Sequence, residues 1–197
     1  MQDSNTNIVA RRKSPHYQRV EHFMQTVRAM MGGFPLPTSP VVPDPKMILS
    51  QCKLIWEEVL ELFEACGIRL TVEQTDSYSE VFLQKDDVSL EIMEPCDNAN
   101  LPKLAKELAD VSVVLTGLMI EFGIADVPIL EETDTANLRK FSPGGYLDEN
   151  RKWRKPPGFK DADIRSLLIA QGWSDQQEVS SDEQNSPTER AGVPVSS

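Results

Sequence analysis

Two short acidic segments of the sequence hold the residues best suited to chemistry. The first contains Glu57, Glu58 and Glu61, and the second contains Glu107 and Asp110. A spacing of three residues places two carboxylates of each segment on adjacent turns of a helix, where they can share one cation. Oxygen ligands of this kind suit a hard divalent ion, Mg²⁺ or Mn²⁺. The pattern therefore predicts a magnesium or manganese site, provided that the two helices lie side by side.

The same pattern disfavours iron or zinc. Di-iron sites in helical bundles combine glutamate with histidine, but the histidines of this chain, His16 and His22, precede both acidic segments. Mg²⁺ held by a few carboxylates keeps positions for water and for substrate phosphates, and it neutralises phosphate charge. The chemistry that these residues predict is hydrolysis of a phosphoanhydride.

Each acidic segment belongs to a helix with a regular apolar stripe. Apolar residues recur at alternating steps of four and three, which is typical of a helix packed on other helices. They are Ile48, Cys52, Ile55, Val59, Leu62 and Cys66 in the first helix, and Leu104, Leu108, Val111, Leu115, Leu118 and Phe122 in the second. At about 100° per residue, four of the acidic residues flank these stripes, whereas Glu57 points about 160° away and is the weakest candidate by geometry. Gly117 lies on the flank of the second acidic segment, where it leaves room for a ligand or for close helix packing.

Turn and cap residues delimit the other elements. Asp44 and Pro45 are a typical cap and first-turn pair, and glycines follow several apolar patterns. Long helices are predicted over 16–31, 45–66, 101–122 and 127–140, and a short one over 161–171. A proline-rich connector covers 34–45, and partial alternation over 68–72 and 88–93 predicts a short hairpin or an irregular excursion. We expect one folded unit over 16–171, with a disordered arm over 1–15 and a disordered acidic tail over 172–197.

Composition limits the partners and the cellular setting. The chain has 197 residues and a net charge of −11, which argues against a nucleic-acid backbone or an anionic membrane surface as the main partner. It has neither a long apolar run nor the apolar core of a signal peptide, so we expect a cytoplasmic protein. Three cysteines, Cys52, Cys66 and Cys96, form an odd set. Since two of them occupy the apolar stripe, buried reduced thiols are expected.

The two-part acidic pattern resembles the signature of the MazG-like all-α NTP pyrophosphohydrolases, a superfamily that includes phosphoribosyl-ATP pyrophosphohydrolase and the dimeric dUTPases. The likeness covers about 16–171. Further matching segments, His22-Phe23-Met24, Asn137-Leu138-Arg139-Lys140 and Lys152-Trp153-Arg154-Lys155-Pro156, are similar to the phosphoribosyl-ATP-pyrophosphohydrolase-like branch. The spacer over 62–106 is longer than is usual in the family, so the excursion within it is expected to cover the site, to alter base choice or to join an oligomer contact.

The resemblance implies a four-helix-bundle-like fold, assembled as a homodimer or homotetramer, that hydrolyses a nucleoside triphosphate to the monophosphate and pyrophosphate. It implies that Mg²⁺ or Mn²⁺ is held by four of the acidic residues, Glu58, Glu61, Glu107 and Asp110. Glu57 would be a further ligand or would orient the attacking water, so that Glu57 and Glu58 form the catalytic pair. The substrate would be met by Asn137 at its sugar or base and by Lys140, Lys152 and Lys155 at its phosphates.

Other interpretations of the same residues remain open. An acidic pair on one helix is more often a solvated face than a ligand set, although like charges that are partly buried without a counter-ion are costly. A non-catalytic helical oligomer, which binds nucleotide or serves as a scaffold, would show no turnover and no dependence on metal. A hydrolase specific for phosphoribosyl-ATP is a third interpretation, which direct assay of that substrate would decide.

Overall fold

The described part of the protein is mostly helical, which confirms the all-α class. A computed structural model describes residues 9–72, 88–92, 100–149 and 151–174. The helices are α1 (Pro15–Met31), α2 (Pro45–Ala65), α3 (Leu101–Glu121), α4 (Asp126–Arg139) and α5 (Ile164–Ala170). Strand β1 (Ile68–Val72) pairs antiparallel with β2 (Val88–Ile92), and β3 (Tyr146–Leu147) pairs antiparallel with β4 (Trp153–Arg154). All five helices and the first strand pair lie within two or three residues of the predicted positions.

Local capping explains where the long helices begin. The Ser14 hydroxyl accepts from the backbone N–H of Tyr17, the Asp44 carboxylate from that of Lys46, and the Asn100 side chain from that of Lys103. These bonds satisfy donors that the first turn of a helix leaves without partners. A proline follows each cap within the first turn, where its fixed φ favours the helix and no N–H is lost.

The proline-rich connector between α1 and α2 packs against the end of α3. The backbone N–H of Val41 donates to the carbonyl of Phe122 at 3.0 Å. Gly123, with φ of 66°, follows directly, and a Cβ at this position would overlap the carbonyl oxygen of Ser39. Glycine is therefore needed at this turn for its conformation and for the close approach of the connector.

Helices α1 and α3 form the small buried core. Tyr17 and Val20 of α1 pack with Ile120 of α3, and Met24, Leu36, Val113 and Met119 lie half-buried around them. Helix α2 packs along α3, yet none of its residues is fully buried. Leu108 and Leu115, two members of the predicted apolar stripe of α3, are exposed. One chain therefore covers only part of its apolar helix faces.

Helix α5 is fastened to the turn between α3 and α4 by one buried amide. The Gln171 side chain, 1% exposed, accepts from the backbone N–H of Ala125 at 2.8 Å and donates to its carbonyl at 3.2 Å. Further along, the Trp153 indole N–H donates to the carbonyl of Lys140 at 2.5 Å, and its ring packs on Phe141. These contacts hold the segment after α4 against the ends of that helix.

The expected burial of the cysteines and the expected disorder of the N-terminal arm differ from what the structure shows. Cys52 is exposed and Cys66 is half-buried, so the expected burial of Cys52 is wrong: the packing of α2 leaves this part of its apolar stripe open to solvent. Of the predicted disordered arm, residues 9–14 make contacts: Ala10 is buried and the backbone N–H of Ser14 donates to Asp126. The remainder of the arm, Cys96, most of the excursion and almost all of the acidic tail lie outside the described residues.

No helix of the described segments is, by itself, long and apolar enough to cross a membrane. Helices α3 and α4 reach the required length and apolar content only when taken together, across a bend of 113°.

Candidate metal centre

The structure brings the two acidic segments together on neighbouring helices. Carboxylate oxygens of Glu58 and Glu61 on α2 and of Glu107 on α3 all lie within 4.8 Å of one another. Two oxygens bound on opposite sides of Mg²⁺ would be about 4.2 Å apart, and slightly more on a larger ion. Small side-chain rotations are therefore enough to let the three carboxylates share one cation.

Burial of one member, Glu107, distinguishes this acidic cluster from a solvated helix face, whereas Glu58 is half-buried and Glu61 is exposed. Glu107 is only 3% exposed, and acidic side chains are rarely buried to this extent unless they are paired. Loss of hydration raises the pKa of the Glu58 carboxyl, and repulsion from Glu61 and Asp110 raises it further. The raised pKa shows that negative charge at Glu58 is disfavoured by its surroundings. An added cation would relieve this cost.

Asp110 lies beside the cluster and is held by a lysine. The Lys106 ammonium is 2.6 Å from an oxygen of Asp110 and 3.3 Å from an oxygen of Glu107. The hydrogen bonds to these two carboxylates raise the pKa of Lys106 well above its usual range. Glu58, Glu61, Glu107 and Asp110 supply four carboxylates to this cluster, and Lys106 supplies one ammonium group. Three negative charges therefore remain uncompensated among these five side chains. The Lys106 side chain is 63% exposed, so it has room to move away from Asp110 if a cation were bound there.

Lys106 is a contributor that the sequence analysis missed. It precedes Asp110 by four residues on the same helix, a spacing at which opposite charges attract across one turn. That spacing was visible in the sequence and would have been enough to predict the pair. Glu57, by contrast, is exposed and lies outside the group of three that the described residues form. Its position agrees with the outward direction that helical geometry predicts.

The four residues expected to bind substrate lie elsewhere in the chain. The Lys140 ammonium donates to the side-chain oxygen of Asn137 at 2.6 Å. Lys155 pairs with Asp161 at 2.8 Å and lies over an aromatic ring, while Lys152 is exposed and its backbone N–H donates to a carboxylate. Among the described side chains, no hydrogen bond or ion pair joins these four residues to the acidic cluster.

The path of the chain explains this separation. Glu107 lies near the beginning of α3, whereas the turn into α4 follows the end of that helix, about 24 Å further along its axis. Asn137 and Lys140 lie at the far end of α4, beyond this turn. The sequence could predict the helices, but it could not predict whether residues at their ends converge on one site within a single chain.

Comparisons with known proteins leave the assignment to the site itself: no family model matches the chain, and no curated protein does. What the donor set can do is defined by its chemistry. Three or four carboxylate oxygens without nitrogen or sulfur fit Mg²⁺, Mn²⁺ or Ca²⁺ and are unsuited to a structural zinc site.

Proposed function

We propose that the protein is a Mg²⁺- or Mn²⁺-dependent nucleotide pyrophosphohydrolase, acting in the cytoplasm on nucleoside triphosphates. The observation that supports this most directly is the convergence of Glu58, Glu61 and Glu107 within 4.8 Å. The likeness of the two acidic segments to the MazG-like signature supports the choice of reaction. Removal of surplus or non-standard nucleotides is the purpose that we propose.

The reaction splits one phosphoanhydride bond. Water adds to the phosphorus nearest the sugar, the bond from that phosphorus to its bridging oxygen breaks, and pyrophosphate leaves together with the nucleoside monophosphate. When bound, the ion supplies charge neutralisation at the phosphates and an activated water. Glu61, Glu107 and Asp110 would hold the ion, and Lys106 would release Asp110 to do so.

Glu58 has the properties of a proton acceptor in this scheme. A carboxylate whose pKa is raised takes up a proton more readily than an ordinary one, and the pKa of Glu58 is raised by desolvation and by neighbouring charge. One oxygen of Glu58 would face the ion and the other would accept the proton of the attacking water. Glu57, which is exposed, would orient that water from outside the group of three.

The test is pyrophosphate release from a panel of NTPs and dNTPs in the presence of Mg²⁺. Glu58→Gln and Glu107→Gln should each lower the rate about a hundredfold or more, because each removes charge that holds the ion. Glu64→Gln is the matched control, since Glu64 lies one turn beyond Glu61, is exposed and takes no part in the cluster. A silent panel, or equal rates in all three variants, contradicts the proposal.

We also propose that the chain assembles as a homodimer or homotetramer with a bundle-like arrangement of helices. Exposed apolar residues on α2 and α3 that lie outside any cavity wall support this, among them Leu49, Leu60, Leu108 and Leu115. In such an assembly we propose that Asn137 and Lys140 of α4 reach the cluster from a partner copy. Light scattering that shows a monomer at all concentrations would overturn this part.

The same exposed apolar faces also favour the second candidate function, a non-catalytic helical oligomer that binds nucleotide or acts as a scaffold. The pyrophosphate assay separates the two. A stable oligomer without turnover, whose thermal stability does not respond to Mg²⁺, would select this alternative.

A further inference from the structure

An apolar cavity of about 340 Å³ lies between α1, α2 and α3. Its walls include Met24 of α1, Met47 and Leu54 of α2, and Val114 of α3, and Gln51 contributes an amide. The Arg28 guanidinium and the buried Glu121 carboxylate, paired at 2.5 Å, form part of its wall. The cavity is thus a mainly apolar groove with few polar groups, as is usual for sites that bind small molecules, and it opens to solvent beside the exposed Phe23 and Met31.

The cavity and the acidic cluster lie on the same faces of the same two helices. On α2, Gln51 and Leu54 precede Glu58 and Glu61 at steps of three and four, which keeps all of them on one face. On α3, Glu107 and Asp110 precede Val114 and Gly117 in the same way.

The two helices run antiparallel, so these faces meet in register. Gln51 lies next to Gly117 near one end of the contact, and Glu61 lies next to Glu107 near the other. The seven residue steps on α2 from Gln51 to Glu58 span about 10 Å. One groove therefore changes from apolar to acidic within two or three helical turns.

We propose that this cavity binds the nucleobase of the substrate and that Gln51 is the residue that recognises the edge of the base. The inference rests on the proposed function, because it places the phosphates at the acidic cluster. From there the sugar spans the intervening turn and the base enters the cavity. A volume of about 340 Å³ is near the lower limit for small-molecule sites, which suits a base better than a whole nucleotide.

The chemistry of the lining matches that of a base. The faces of a base are apolar, and its edge carries hydrogen-bond donors and acceptors in one plane. A glutamine amide offers a donor and an acceptor in one plane and can meet such an edge with two bonds. The methionine side chains around it are adaptable and pack well on rings.

Gly117 sets the width of the cavity beside Gln51. A Cβ at this position would lie 3.6 Å from the Gln51 side-chain oxygen and 3.7 Å from the sulfur of Met24. These are ordinary contact distances, so Gly117→Ala should fold while it narrows the cavity. It offers a test that does not disturb the carboxylates.

The experiment follows the methionine methyl groups by NMR in protein labelled with ¹³C-methyl methionine. The probes are Mg²⁺ complexes of α,β-methylene analogues of the four common NTPs, with inorganic triphosphate as the probe that lacks a base. Nucleotide analogues should shift the methyl signals of Met24 and Met47, which line the cavity. Met30, which is 83% exposed and lies outside it, is the internal control. Triphosphate should leave the two cavity signals in place.

Variants supply the second readout. Gly117→Ala should weaken analogue binding about tenfold or more and should leave triphosphate binding unchanged. Gln51→Leu should reduce the ratio of affinities between the best and the worst base about tenfold or more. Gln25→Leu is the matched control, because Gln25 is an exposed amide on α1 that does not line the cavity.

The outcomes separate this inference from the proposed function. Pyrophosphate release without shifts at Met24 and Met47, or with Gln51→Leu and Gly117→Ala behaving as wild type, overturns the base site and leaves the function standing. Shifts without pyrophosphate release support the base site and overturn the function. Shifts that follow protein concentration instead of nucleotide show that a second copy fills the cavity, which overturns the inference. Failure of every analogue to bind, together with no pyrophosphate release from the ordinary NTPs and dNTPs, overturns both.

Discussion

Replacing Glu58 with glutamine should make the metal-free protein more stable and should remove most of its response to metal. The wild-type cluster holds like charges within 4.8 Å of one another. At that distance two unit charges repel by about 0.9 kcal/mol in water, and salt at about 0.15 M reduces this by roughly half. The substitution removes the repulsion of Glu58 by Glu61 and by Glu107, a gain of about 1 kcal/mol, or about 2–4 °C in Tm for a chain of this size.

The sign of the pH dependence follows from the raised pKa of Glu58. A carboxyl whose folded-state pKa exceeds its unfolded value binds protons more tightly in the folded state, so stability is lost as pH rises. The loss begins near the ordinary value of 4.5 and is complete above the folded-state pKa. Glu58→Gln lacks this titration, so its advantage over wild type should be present at neutral pH and should disappear in acid.

The assay is thermal unfolding in EDTA and again in Mn²⁺ or Mg²⁺. An ion present at about 100 times its Kd stabilises the folded state by about 2.7 kcal/mol, so wild-type Tm should rise by about 5–10 °C. Glu58→Gln should start higher and rise little. Glu64→Gln is the matched control, since Glu64 is an exposed glutamate of the same helix outside the group of three. An equal metal response in Glu58→Gln and wild type would refute the assignment of the site.

Three further predictions concern contacts outside the cluster. Gln171→Leu should lower the free energy of unfolding in urea by about 1–3 kcal/mol for each backbone group that it leaves unpaired, and an unchanged midpoint would contradict the role of that amide. Arg28→Met should lower the free energy of unfolding, measured in urea, by about 3–5 kcal/mol, because it leaves the Glu121 carboxylate buried without its partner. The double variant Arg28→Met, Glu121→Gln should regain part of this loss. If the effects of the two single substitutions simply added, the ion pair between Arg28 and Glu121 would not contribute to stability. The hydrogen bond from Arg139 lowers the pKa of Glu132 below its ordinary 4.5, so the stability that Glu132 adds above this pH should be lost as pH falls through its folded value. An acid titration of Glu132→Gln should lack that loss, and curves parallel to wild type would contradict it.

Features set by neighbouring residues could be predicted from the sequence. Asp44 followed by Pro45 predicts the start of α2, and Gly32, Gly67 and Gly123 predict the ends of α1, α2 and α3. The spacing of Glu58 and Glu61 beside an apolar stripe predicts that both flank a helix contact. Because these features extend over only one or two helical turns, the local sequence predicts them without knowledge of the tertiary structure.

Features set by tertiary packing could not be predicted. The period of a stripe shows which face of a helix is apolar, but it does not show what covers that face. Cys52, Leu108 and Leu115 share the period of their half-buried neighbours and are nevertheless exposed in the single chain. The contact of Ser14 with Asp126 joins residues more than a hundred positions apart. Nothing in the sequence around Ser14 or around Asp126 predicts that these two residues are in contact.

If the proposed metal and base sites are both present, the junction between the apolar and acidic parts of the groove should couple metal binding to base binding. Leu54, which lines the cavity, lies one turn before Glu58, which is half-buried. A base that fills the cavity would exclude more water from this carboxylate, and in a less polar setting its attraction for a divalent ion increases. By thermodynamic linkage, the factor by which nucleotide tightens Mn²⁺ binding must equal the factor by which Mn²⁺ tightens nucleotide binding. Gly117→Ala should therefore reduce this mutual factor and leave Mn²⁺ binding in the absence of nucleotide unchanged. A variant that weakens Mn²⁺ binding equally with and without nucleotide would show that the residue acts on the metal ligands and not through the base.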